Sequence, residues 1–174
     1  MKKQISLWQF CGFAFVSLLG TILHFLYDWT CENRIAALFS GVNESTWEHM
    51  KLLFFPLFIF AIVESRILKD EAAFWCIKLK GILYGLALIP ILFYTLNGVF
   101  GETPDYINIS IFYITAAAVF LYETKQFKRN ETKCLRPYLA FAAICLVALL
   151  FFVFTFNPPM ILLFEDPING SDGI

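Results

Sequence analysis

Charge is scarce in this sequence: Asp, Glu, Lys and Arg together make up 16% of 174 residues, whereas soluble domains carry about a quarter. No basic tract is present and the net charge is −1, so nothing in the chain attracts nucleic acid in general. There is no C-x-x-C pair. With only two histidines, His24 and His49, there is also no H-E-x-x-H or H-x-x-x-H zinc motif. No internal repeat divides the chain. The five cysteines are scattered, and in the topology below only Cys31 reaches the external side. Cys31 therefore has no obvious intramolecular disulfide partner, and the five are expected to be packing residues with one exposed thiol.

Apolar side chains fill the space that charge leaves. Hydrophobic residues make up 59% of the chain and Phe alone supplies 21 positions, too many for one water-soluble core of this size. The length allows one bundle spanning 1–174 and no second domain. A membrane span needs about 20 mostly apolar residues, and five stretches qualify: about 5–27, 47–64, 74–96, 108–122 and 137–156. The first resembles a signal peptide only in its basic start. It is too long for one, and the bulky Phe25-Leu26-Tyr27-Asp28-Trp29 stands where small cleavage-site residues belong. Pro56 and Pro90, inside spans two and three, each lack an amide hydrogen and should kink their helices, freeing carbonyls near Leu52 and Leu86.

The basic residues give the orientation. With the N-terminus in the cytoplasm, Lys2, Lys3, Arg66, Lys69, Lys78, Lys80, Lys125, Lys128, Arg129, Lys133 and Arg136 fall inside, which leaves only Arg34 and Lys51 of the thirteen outside. Trp8, Trp29, Trp47 and Trp75 stand near span boundaries, where indole rings anchor. The fold expected is an all-α membrane protein: a five-helix transmembrane bundle with a cytoplasmic N-terminus, an external C-terminus and an external tail, 157–174. That tail is too short in apolar length to cross, and should lie along the interface or fold back over the bundle mouth.

Depth selects the residues that can meet. His24 and Asp28, four apart on one helix face, end the first span externally. Glu48, His49 and Lys51 begin the second span on the same side, and the loop brings Glu44 to that level. Imidazoles and carboxylates at one depth suit zinc, manganese or iron. His24, Asp28 and His49 are the metal candidates, with Glu44 as general base and Lys51 to stabilise negative charge. Glu48 serves as an alternative ligand or catalytic carboxylate. Competing structural roles exist: Ser45-Thr46-Trp47-Glu48 has the form of a capping box, and Lys51 can pair with Glu48 or Glu44. Glu64, sixteen residues beyond Glu48 and so about 24 Å away along the helix, should pair with Arg66, Lys69 or Lys78.

The run Leu23–Trp29, followed by Phe39-Ser40-Gly41-Val42-Asn43-Glu44-Ser45-Thr46-Trp47-Glu48-His49-Met50-Lys51, resembles a family of small multi-pass bacterial membrane proteins of unknown function, found in Firmicutes-type bacteria. Its signature is N-E-S-x-W-E-H-x-K. The resemblance is specific over the first two spans and implies a bacterial plasma-membrane location, with no activity attached. Three functions remain open: an outward-facing metal-assisted hydrolase or transferase acting on a membrane lipid or amphiphile, a non-catalytic module docking a protein partner through the first external loop, and a transporter component. The last would need a homo-oligomer, because five spans make a poor conducting unit alone.

Overall fold

The computed structural model describes residues 2–68, 73–101, 104–129, 132–167 and 170. They form six helices: α1 (Lys2–Trp29), α2 (Arg34–Ala37), α3 (Thr46–Ile67), α4 (Phe74–Phe100), α5 (Asp105–Arg129) and α6 (Pro137–Phe156). The five long helices cover the five expected stretches, and most run past them. α5 extends from 105 to 129, where 108–122 was expected. Backbone hydrogen bonding continues after the apolar run stops, because a helix closes its bonds internally whatever the solvent. Four helices are long and apolar enough to cross a membrane: Lys3–Trp29, Phe74–Phe100, Tyr106–Arg129 and Pro137–Phe156.

α3 is the central helix, packed against α1, α4, α5 and α6. Its residues Leu52, Leu53, Phe54, Phe55, Leu57, Phe60 and Ala61 are all buried. The outer helices expose Leu7, Phe10, Leu18, Leu121, Leu146 and Leu149, a distribution that suits lipid and would be costly in water. Pro56 and Pro90 both lie within uninterrupted helices. Pro56 has no amide hydrogen for the Leu52 carbonyl, and α1 crosses over that carbonyl at Gly20. A Cβ on Gly20 would stand 3.0 Å from Leu52 O and collide with the Phe112 ring, so glycine permits the close approach.

One expectation is corrected. Cys76 and Cys134 form a disulfide that ties the start of α4 to the segment between α5 and α6. Spacing along the chain could not show it, because the two residues are 58 positions apart. Cys11, Cys31 and Cys145 remain free, the first two exposed. The tail does not run freely along an interface. Phe164 is buried between Trp47 and Phe154, with ring centroids 4.6 and 5.5 Å away, and Trp47 N donates to Leu163 O at 2.9 Å. Tyr94 adds a bond from its hydroxyl to Leu162 O. The chain thus closes back over the end of the bundle that holds the long loop, the fold-back being one of the two courses expected for it.

Candidate functional site

The loop between α1 and α3 is shaped by local caps. Asn33 Oδ1 accepts from Ile35 N at 2.8 Å to start α2, and Asn43 Oδ1 accepts from Ser45 N at 3.0 Å to set up the start of α3. Ser45 then caps α3, its Oγ accepting from Glu48 N at 3.4 Å. Only half of the expected capping box forms. The Glu48 carboxylate does not return to the Ser45 amide, which Asn43 already holds, but accepts from Val42 N at 3.1 Å and meets Lys51 Nζ at 2.5 Å.

Lys51 is 0% exposed. Its ammonium also donates to Ala37 O at 2.8 Å and Thr155 Oγ1 at 3.0 Å, so all three of its donors are engaged. Glu48 and Lys51 thus clamp the loop, at Val42 and Ala37, onto α3 and α6.

The clamp presents Glu44 to the two histidines. Glu44 Oε1 lies 3.9 Å from His24 Nε2, and Glu44 Oε2 lies 3.5 Å from His49 Nε2. The rings of His24 and His49 are edge to face, with centroids 5.7 Å apart. One ligand atom from each of His24, Glu44 and His49 falls within 4.8 Å of the others. His49 Nδ1 stands 3.0 Å from Ser45 O. A carbonyl only accepts, so Nδ1 carries the hydrogen, and in the neutral ring Nε2 turns its lone pair toward Glu44.

Of the residues singled out in the sequence, His24, His49 and Glu44 are brought together. Glu48 and Lys51 lie below them, engaged with each other. Asp28 is exposed at the end of α1 and stands outside the three-residue group. Asp166 was not singled out, since a tail residue gives no sign of where it will dock. It is 3% exposed, and its Oδ2 accepts from Glu44 N at 3.4 Å.

A cavity of about 120 Å³ adjoins the histidines, at the seam between α1 and α5. Its walls include Gly20, Phe25, Leu52, Ile109 and Phe112, with Thr21, His24, His49, Asn108 and Tyr113 as polar members. Phe25 and Ile109 are exposed on the outer face of the bundle, so the seam meets the surroundings of the helices rather than only the loop.

The family described as a family of unknown function (DUF6512) matches residues 1–174. The chain belongs to this family. No curated protein and no solved structure matches it.

At the other end of this DUF6512 bundle a second charge cluster is fully enclosed. Lys78 Nζ lies 2.5 Å from both Glu64 Oε2 and Glu123 Oε2, and Gln9 Nε2 donates to Glu64 Oε1 at 2.6 Å. Lys78 is thus the partner of Glu64, as one of three expected choices; Lys69 lies outside the described residues. The rings of Phe60, Phe74, Phe120 and Phe127 surround the ammonium, with centroids 5.6–5.8 Å away. Glu123 and Gln9 carry no sequence signal for this pairing. Glu123 follows the expected end of its span by one residue, where a carboxylate ordinarily meets water. Between the two ends, the described buried side chains are apolar apart from Ser17 and Thr115, whose hydroxyl oxygens have no hydrogen-bond partner.

Proposed function

We propose that this protein is a five-span protein of the bacterial plasma membrane that holds a divalent metal ion, with zinc the first choice, on His24, Glu44 and His49. It uses that centre to hydrolyse a lipid or other amphiphile, or to transfer a group from it. One observation carries the metal reading. With Nδ1 of His49 donating to Ser45 O, the lone pair of Nε2 faces a carboxylate oxygen 3.5 Å away, and two acceptors so placed call for a cation between them. His24 at 3.9 Å from the other oxygen completes three ligands. Tetrahedral ligands about 2.0–2.2 Å from a metal stand about 3.4 Å apart. The Glu44–His49 pair is already near that spacing at 3.5 Å. The full set, now within 4.8 Å, must draw together on the ion and leaves a fourth position open.

The backbone contact of His49 fixes its tautomer, as a carbonyl commonly does behind a metal-bound histidine. Asp166, tied to the Glu44 backbone, holds the loop in place. A bound divalent metal would supply an acidified water as nucleophile. The residues of the chain orient the ligands, admit an apolar chain at the α1–α5 seam and exclude bulk water through the folded-back tail. In this assignment Glu44 is a ligand, while Glu48 and Lys51 brace the loop instead of touching substrate.

Metal analysis of the purified protein tests this reading. The native chain is expected to carry close to one equivalent of zinc or manganese, and His24→Ala and His49→Ala to lose at least tenfold in affinity. Equal, negligible metal in all three would overturn the metal centre. A second reading would then gain ground, a docking module for a protein partner, favoured by the exposure of Trp29 and Ile35 at 66% and 72% on the same end.

The five-span topology, with α3 crossing among the four lipid-facing helices, puts the N-terminus inside and the C-terminus outside on the strength of the basic residues. The Cys76–Cys134 disulfide pulls the other way, since it lies at the end assigned to the reducing cytosol, where disulfides are rare. A membrane-impermeant maleimide applied to intact cells decides. Labelling is expected at Cys31, and at Cys76 and Cys134 only after permeabilisation and reduction. The reverse pattern inverts the bundle and places the His24–Glu44–His49 centre inside.

A further inference from the structure

Among the described residues, the cluster at the start of α4 is one positive charge short. Four helices close on it: α1 contributes the neutral Gln9, α3 Glu64, α4 Lys78 and α5 Glu123. The surrounding Phe60, Phe74, Phe120 and Phe127 carry no charge. The exposures are 2% for Gln9 and Lys78 and 0% for Glu64 and Glu123, so water does not balance the excess. A plug of Ile5, Ala73, Phe74, Ile77 and Phe127, with Cys134 against it, seals the end of the bundle. An unbalanced charge in such surroundings is costly.

A second observation is independent of the charge count. Gln9 Oε1 and Glu123 Oε1 are buried oxygen acceptors without any hydrogen-bond partner. Gln9 enters the cluster through its own amide, bonded to Glu64, so an acceptor without a donor lies beside a centre that lacks a cation. Buried acceptors are ordinarily satisfied, and exceptions point to an ion or other group that belongs there. Gly81 fits the same picture, because a Cβ there would stand 2.5 Å from Glu123 Oε1. Only glycine leaves that oxygen its place.

We propose that the Gln9–Glu64–Lys78–Glu123 centre binds one monovalent cation, a proton or a sodium ion. Two carboxylates and one ammonium then become neutral with the guest, and the unpartnered oxygens gain what they lack. The site lies at the opposite end of the bundle from the histidines and does not depend on the metal reading.

Reversible unfolding of the purified full-length protein in detergent tests this. It is run in sodium chloride and in choline chloride at equal ionic strength, from about pH 5 to pH 9. If the guest is a proton, it binds the folded state more tightly than the unfolded one, so stability falls as pH rises. The unfolding constant then changes by up to about tenfold per pH unit, whichever salt is present. A sodium guest instead makes the protein more stable in sodium than in choline chloride, increasingly so with concentration.

In either case Glu123→Gln and Glu64→Gln each remove the dependence, because each removes the excess negative charge. Each variant should also fold at least as well as the native chain under conditions that leave the native centre empty. The site is overturned if both variants keep the native pH and sodium responses, if the native chain shows neither response, or if both variants fail to fold. Gly81→Ala is expected to displace the Glu123 carboxylate and weaken the same response.

Discussion

Lys78→Met is expected to destabilise the protein by about 3–5 kcal/mol, a large part of an ordinary stability margin. Lys78 is 2% exposed and its ammonium is the positive charge that meets both Glu64 and Glu123. Methionine fills a similar volume and removes the charge, leaving two carboxylates facing each other inside an aromatic enclosure. The loss comes from those stranded charges more than from the broken pairs, and the distinction is measurable. The triple variant Lys78→Met, Glu64→Gln, Glu123→Gln carries no net charge in the cluster and should recover most of the stability, since neutral replacement of a buried ion cluster is often tolerated. Unfolding in detergent compares the three proteins. A single variant as stable as the native chain would show that the cluster is not held as described.

Lys51→Met is expected to cost a comparable amount, about 3–5 kcal/mol, and, under the proposed function, to weaken metal binding with it. At 0% exposure its ammonium joins Glu48, the Ala37 carbonyl and Thr155, linking α3, the end of α2 and α6. Removing it strands Glu48, the residue that anchors the Val42 amide two positions before Glu44. The Glu44 carboxylate should then lose its fixed place between the histidines, so melting and metal content should fall together. Were Lys51 instead poised to stabilise charge on a substrate, its loss would leave stability and metal content intact. Those two quantities, measured on one preparation, separate a bracing residue from a catalytic one.

The parts of the candidate site legible in the sequence are those set by depth. His24 stands near the end of one apolar run and His49 near the start of the next, so the short distance between the ends of consecutive helices brings them to one level. Glu44 sits in the intervening loop and could hardly be elsewhere. Helix rotation was harder to read. Asp28 is one turn from His24 and was expected to share its role, but its side chain is exposed at the end of α1 and stands outside the group of His24, Glu44 and His49. Asp166 entered the site because Trp47 and Phe154 offer Phe164 an aromatic niche two residues before it, a feature no local pattern announces.

Lys78 and Glu123 show the same limit at the opposite end. Each falls near a span boundary, where a charge is read by default as solvated. They turn inward because Gly81 lets α5 come close enough for Glu123 to reach the ammonium. The pairing of Cys76 with Cys134 likewise depends on how far the segment before α6 folds toward α4.

By itself the sequence established an apolar helical chain with basic residues concentrated at one end and a polar loop at the other. Those properties follow from the length and composition of runs, which the bilayer reads one dimension at a time. Tertiary structure alone decided which charges are buried, which carboxylate faces the histidines and where the tail ends. Such contacts depend on the rotation of each helix about its axis and on the fit of side chains between helices, and the order of residues along the chain constrains neither directly.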